Sequence, residues 1–455
     1  MSVKGNHILF LPCIIIINYK RRVDKMIIHT VSRGETLSQL AAQYSVNIIN
    51  LAADNGLAVD SQLVVGQALV IQIPDIVHTV QRGETLSSIA RAYGLTAIQL
   101  LRNNFRLGGI DRLTTGEEII IRYKDENRAK TFAVNSYAYP YVDIGLLRTQ
   151  LPYLTYLTPF TYGITATGGL VPLNDAELIE TASEYGVNTL LHLSTLTEGG
   201  GFSSARASLV FGNEVLQNSL INEIIATVEQ KGYNGVDVDF EFINPEEKYD
   251  YVRFLQELRL RLNPMGLPLF SALAPKTSDT QSGVLYEGHD YSGIGAAVNF
   301  VLLMTYEWGY TYGPPMAVAP INNVRNVVEY ALTRISSGKI FMGVPTYGYD
   351  WTLPYVRGGA GAPSISPVEA IDLARRYGAE IMYDETAQAP WFRYTDNDGR
   401  LHEVWFEDAR SISAKLSLAQ ELGLFGIGYW NSMRDFPQNW VTLNANYNVL
   451  NLSLL

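Results

Sequence analysis

Apolar runs and polar breaks repeat themselves near the start of the chain. Residues 29–41 read HTVSRGETLSQLA, and residues 78–90 read HTVQRGETLSSIA. Each copy opens on a β-rich run, turns at Arg-Gly-Glu and enters a helix at Thr36 or Thr85, whose hydroxyl suits the free amide groups of a first helical turn. Thr36 with Gln39 also has capping-box spacing. Each copy closes on a β-branched run after a glycine, residues 66–73 and 116–122. The pattern predicts strand, helix, helix, strand twice over, in residues 27–74 and 76–123.

Residues 124–130 (KDENRAK) are polar with mixed charge and read as a linker. Beyond them, β-like runs at 132–137, 162–166, 189–193, 235–241, 269–274, 300–305, 340–344 and 425–429 alternate with helical stretches. In two of these, 213–231 and 246–262, apolar residues recur every three or four positions. Eight strands alternating with helices across 131–455 predict an α/β domain, a closed (β/α)8 barrel of the TIM type. An open doubly wound sheet would carry a glycine-rich phosphate turn after its first strand, and none is visible there.

Composition sets limits on the partners. The 455 residues exceed what one core organises, which fits several domains. Against 34 Lys+Arg stand 45 Asp+Glu, a formal charge of -11 that argues against general affinity for nucleic acid or anionic membrane. Cys13 is the only cysteine and there are 6 histidines, so neither a disulfide framework nor a thiolate zinc cluster is available, and no metal or cofactor is called for. The 28 Tyr, 6 Trp and 16 Phe suit stacking on sugar rings and equally suit a large core. Residues 8–17 form an apolar run followed by Lys20, Arg21 and Arg22; it is short for a membrane span and lacks a small-residue cleavage site. No stable membrane insertion is expected. Met26 reads as the native start, which leaves 1–26 as an N-terminal extension; amino-terminal sequencing decides between Met26 and Met1.

The chemistry concentrates in residues 233–241 (YNGVDVDFE), where three acids alternate with three apolar residues. On a strand, alternate side chains share a face, so Asp237, Asp239 and Glu241 point into the barrel while Val236, Val238 and Phe240 pack outward. Carboxylates that close cannot all ionise, and at least one pKa rises. A carboxyl held protonated at the carboxyl end of a barrel strand is what a general acid requires. Two alternatives stay open. The acids could be a solvated face, which the strictly apolar intervening positions oppose. They could hold a metal, although no histidine stands nearby and Glu246 and Glu247 follow Pro245 as a helix start.

The duplicated T-V-x-R-G-E-T-L resembles the LysM module, which binds N-acetylglucosamine-containing glycans. That resemblance implies a sugar held between Gly34-Glu35-Thr36 and Val64-Val65 in the first copy, and between Gly83-Glu84-Thr85 and Leu113-Thr114 in the second. For Gly34 and Gly83 a simple turn requirement is the alternative. Residues 234–241 resemble the D-x-x-D-x-D-x-E signature of glycoside hydrolase family 18, with Asn234 at its first position and, by that resemblance, counted with Glu307 and Trp430 among the substrate-binding residues. The family uses substrate-assisted retention, which implies Glu241 as acid and base, Asp239 as partner of the substrate acetamido group, and Asp237 behind it sharing a proton. Residues 304–307 (MTYE) resemble the family's M-x-Y-D, implying that the Tyr306 hydroxyl donates to the acetamido oxygen; Glu307 replaces the commoner aspartate. Residues 425–430 (FGIGYW) resemble the last barrel strand, with Trp430 the floor beneath the cleaved sugar.

The stretches MTYEWGY (304–310), GPPMAVAPI (313–321) and LAPK (273–276) are similar to the spore cortex-lytic branch of that family. The resemblance implies hydrolysis of N-acetylglucosaminyl bonds in peptidoglycan, a place in the spore cortex, coat or cell wall, and a monomer. A chitinase and a catalytically silent glycan-binding protein are the alternatives; few Trp residues oppose the first, and the presence of Glu241 opposes the second. The repeats are expected to be detachable, so that removing residues 1–125 leaves an active barrel that adheres less well to insoluble wall.

Overall fold

The computed structural model of the chain describes residues 26–124, 128 and 130–452; residues 1–25 of the expected N-terminal extension lie outside the described residues, and Met26, also assigned to it, instead opens the first strand. In the first repeat, strands Met26–Thr30 and Ala68–Gln72 pair antiparallel around helices Leu37–Tyr44 and Ile48–Asp54. In the second, Pro74–Thr79 and Glu118–Tyr123 pair around Leu86–Ala92 and Ala97–Asn103. Thr36 and Thr85 cap the leading helices, with reciprocal bonds to Gln39 and Ser88. A buried asparagine then ties helix to closing strand in each copy. Asn55 bonds the backbone of Val70 at 2.7 and 2.8 Å, and Asn104 bonds that of Ile120 at 2.8 Å both ways.

The rest of the described chain is a parallel barrel. Its strands are Thr131–Ala138, Tyr156–Pro159, Asn188–Thr189 continued by Leu191–Ser194, Val236–Asp239, Leu269–Leu273, Phe300–Leu303, Ile340–Pro345 and Gly426–Trp430. Each pairs in parallel with the next, and the last pairs with the first, so the two pieces interrupted at Leu190 act as one strand and close an eight-stranded ring. Helices between the strands wrap the outside. Glu214–Lys231 is capped by Asn213, stops at Gly232 in the left-handed region (φ 74°), and buries Leu220, Ile221, Ile224 and Val228 along one stripe. Val236, Val238 and Phe240 face such helices, and the Phe240 ring stacks on Tyr251 and Phe254. The foot of the barrel is filled by Tyr156, Phe270, Phe341 and their neighbours, a packed core beneath the cavity.

Two features differ from the sequence-based expectation. The second barrel strand is Tyr156–Pro159, not 162–166; Gly163–Ile164 instead forms a short hairpin with Leu170–Val171. All four residues of the true strand are buried, so it carries no alternation to distinguish it from the adjacent apolar run. Between the seventh and eighth strands the chain builds a five-stranded antiparallel sheet, from Gly348–Thr352 to Leu401–Trp405, with helix Pro367–Tyr377 against it.

The repeats share core with the barrel. Val64 packs among Ala370, Ile381 and Phe392 of the inserted sheet and its helix, Val70 packs with Ala409 and Val441, and the second repeat's Ile119 and Ile121 belong to the cluster that contains Phe132. Gln438 bonds the Ala68 carbonyl at 2.7 Å, and Tyr153 donates to that of Arg102 at 2.9 Å. No described helix is long and apolar enough to cross a membrane.

Candidate active site

Strand four delivers its acids to the barrel's carboxyl end in the alternation that β geometry dictates. Asp237 is wholly buried and accepts a 2.6 Å bond from Tyr137 on the first strand. His192 on strand three lies opposite Asp237 in register, and its Nε2 stands 3.6 Å from Asp239 Oδ2. Its Nδ1 meets the Thr161 hydroxyl at 2.6 Å. Burial lowers the His192 pKa to about 4, so at neutral pH the ring is an uncharged neighbour of the acids.

Asp239, Glu241, Tyr306, Glu307 and Trp430 line one cavity of about 480 Å³, with Tyr137 and Met304. Burial pushes the Asp237 carboxyl up to about 6, with the Tyr137 bond opposing the rise, and pushes Asp239 up to about 7. Glu241 rises to about 8, first through burial and then through the charges of Asp239 and Glu307. Groups this close titrate as a set. Burial and the neighbouring charges favour retention of a proton by the Asp239 and Glu241 set, both members of which line the cavity. The Tyr306 pKa is raised by burial and by Asp239 and Glu241, which preserves its O–H as a donor.

Glu307 has a left-handed backbone (φ 67°) and accepts bonds from the Tyr347 hydroxyl and, at 3.0 Å, from that of Tyr349. Trp430 ends the eighth strand against Tyr137, Tyr139 and Phe160. A second recess of about 730 Å³ shares Glu307 and Trp430 with the first and adds Tyr139, Tyr141, Ser364 and Arg434.

Asn234 does not join this cavity. It stands at the opposite end of its strand, on the order of 20 Å from Glu241 at about 3.3 Å per residue. There its side chain accepts from the Thr189 amide at 2.9 Å, tying strand four to strand three. Gly34 and Gly83 take φ of 86° and 88° with open space around them, and the hydroxyls of Thr36 and Thr85 are committed to helix caps.

The two repeats present their sugar-loop candidates differently. In the second, Thr114, Thr115 and Gly116 are exposed. In the first, Val64 is buried, the Val65 carbonyl accepts from the Ile381 amide at 2.9 Å, and a Cβ on Gly66 would lie 1.9 Å from the Ile381 carbonyl. The closing loop of the first repeat is seated on the inserted sheet.

Sequence reasoning missed Tyr137, His192, Tyr347, Tyr349 and Arg434. His192 and Tyr137 fell within expected strands, but nothing local marks them as neighbours of strand four. It also missed His289, which accepts from the Ala274 amide at Nδ1 (3.0 Å) and therefore carries its proton on Nε2, from which it donates to the Phe240 carbonyl at 3.0 Å. Lys276, of the LAPK stretch, donates in turn to the His289 carbonyl at 2.9 Å. These bonds hold the backbone from which Glu241 projects.

The model of the family "Glycosyl hydrolases family 18" matches residues 152–435, and that of the LysM domain matches 29–72 and 78–122. The chain is 43% identical to the cortical fragment-lytic enzyme of Bacillus subtilis over 93% of its own length and 99% of that protein's. The crystal structure of the Bacillus megaterium spore cortex-lytic enzyme SleL superposes with a TM-score of 0.79 at 39% identity, covering 94% of this chain and 99% of that one. Its Bacillus cereus counterpart does so with a TM-score of 0.79 at 35% identity, again over 94% and 99%. The chain belongs to glycosyl hydrolase family 18 and carries two LysM domains ahead of its barrel.

Proposed function

We propose that this protein hydrolyses N-acetylglucosaminyl bonds in peptidoglycan, with spore cortex fragments as its substrate and the cortex as its place of action. The observation that carries the reading is that Glu241 lines the cavity together with Asp239 and Tyr306, its carboxyl pushed up by burial and by the charges of Asp239 and Glu307. The names of the relatives support the cortex as substrate.

In the proposed reaction, N-acetylglucosamine sits over Trp430. Glu241 gives its proton to the glycosidic oxygen as the bond from that oxygen to the anomeric carbon breaks. The sugar's own acetamido oxygen closes on the anomeric carbon, giving an oxazolinium ion. Asp239 accepts from the acetamido N–H and balances the positive charge, Tyr306 donates to the acetamido oxygen, and Asp237 holds the proton that the aspartate pair shares. Water then attacks the anomeric carbon, the acetamido oxygen leaves, and Glu241 recovers a proton from that water. Configuration is retained.

The test is mass spectrometry of products from purified cortex fragments. N-acetylglucosamine at every new reducing end is the expected result. Ends carrying muramic acid or its lactam would overturn the reading.

A further inference from the structure

The second recess combines an aromatic platform with a cation. Tyr139 and Tyr141 stack at 5.3 Å beside it, and Tyr141 is 76% exposed, an aromatic platform open to the cleft. Among the described residues that line the recess, the one cation is Arg434, on the segment that follows the eighth strand. The guanidinium is hydrogen-bonded on one side alone: Nη2 donates to the carbonyl and hydroxyl of Ser364, both at 3.3 Å, while Nη1 is within ion-pair distance of Glu369. Glu369 lies 3.9 Å from Nη1, beyond hydrogen-bond reach, is largely exposed, and binds the Ser366 amide at 2.6 Å as part of a helix cap. Among the described residues Nε and Nη1 make no hydrogen bond. The recess's carboxylate, Glu307, is occupied by the Tyr347 and Tyr349 hydroxyls. In a chain with a formal charge of -11, a half-open guanidinium in the cleft wall runs against the general field.

Chitin is neutral at every sugar. In peptidoglycan, N-acetylglucosamine alternates with a muramoyl residue, whose lactyl group ends in a free carboxylate, in a peptide with its own carboxylates, or in a neutral lactam. When N-acetylglucosamine occupies the cavity over Trp430, the sugar in the adjoining recess is therefore muramoyl. We infer that Arg434 is a specificity residue that binds the carboxylate of this muramoyl neighbour, while Tyr139 and Tyr141 stack against its ring. The inference rests on the proposed reading of the main site; with Nη2 held by Ser364, the open Nη1 offers the carboxylate a charge-assisted bond in a fixed direction, which a flexible lysine ammonium reproduces only in part.

The test compares wild type, Arg434→Met and Arg434→Lys on four soluble substrates. These are an N-acetylglucosamine oligomer, glycan fragments stripped of peptide to free lactyl carboxylates, fragments keeping their peptides, and fragments rich in lactam. Arg434→Met should lower kcat/KM at least about tenfold on carboxylate-bearing fragments, the scale of a lost charge-assisted bond, through KM with kcat nearly unchanged. On the oligomer and the lactam-rich fragments the change should stay within about twofold, which also shows that the variant is folded. Arg434→Lys should recover only part of the loss. A loss confined to stripped fragments identifies the lactyl group as the partner, and one confined to peptide-bearing fragments identifies the peptide carboxylate. An equal loss on all four, or none, would overturn the inference. Wild-type products ending in muramic acid would overturn the main reading instead.

Discussion

A glutamate that keeps its proton to about pH 8 weakens the fold wherever the unfolded chain releases that proton. Between the ordinary value of 4.5 and about 8, native Glu241 binds more protons than the unfolded residue, so its contribution to stability falls as pH rises through that window. Glu241→Gln mimics the protonated form and removes the cost. The variant should melt higher than wild type at pH 8 to 9, with the difference shrinking toward pH 4, and equal melting at all pH values would show that the carboxyl is not held protonated. The same substitution should cut turnover by at least about 10²–10⁴-fold. In wild type, activity should fall above about 8 as Glu241 ionises, and below about 6 as the Asp237 and Asp239 pair takes its second proton. A pH–rate profile without the alkaline limb would remove Glu241 as the acid.

At the scale of elements, the repeats are built into the barrel by shared core, and this revises the expectation that they can be removed freely. Deleting residues 1–125 uncovers Ile381, Ala409, Val441 and Tyr153, which now pack against Val64, Val70 and Phe105. The truncated barrel should lose several degrees of melting temperature and solubility along with wall adhesion; unchanged melting would mean these contacts contribute little. The difference in seating also separates the repeats. Hydrogen exchange on the Glu241→Gln protein with a soluble N-acetylglucosamine oligomer should slow at 81–86 and 111–117 and not at 61–67; slowing at 61–67 would show that the first loop binds despite its seat. The carboxylates of strand four were legible because alternation within one strand is a local property. Tyr137 and His192 come from other strands, Tyr347 and Arg434 from segments that follow the seventh and eighth, and they meet only when the ring closes. The inserted sheet was not legible: its short edge strands, such as Ser364–Ile365 and Met382–Asp384, are too brief for any period to show. The family resemblance brought Tyr306 and Trp430 forward, and it also put Asn234 forward as a sugar contact, whereas the residue bonds a neighbouring strand at the barrel's foot.

For the whole molecule, the seat of the first repeat on the inserted sheet sets how grip and blade are related. Binding modules on a long flexible linker raise local concentration gradually, by an amount that varies with linker length. Here the second repeat follows directly on the seated first one, with only Ile73 between Gln72 and Pro74, and its own core is continuous with the barrel. Grip and blade therefore move as one body, like a caliper set to a single opening. A glycan shorter than that opening is cut without being held, and a longer one is held as it is cut. Cutting efficiency against glycan length should rise in a step at the length that first reaches both, and a smooth rise would mean the caliper flexes.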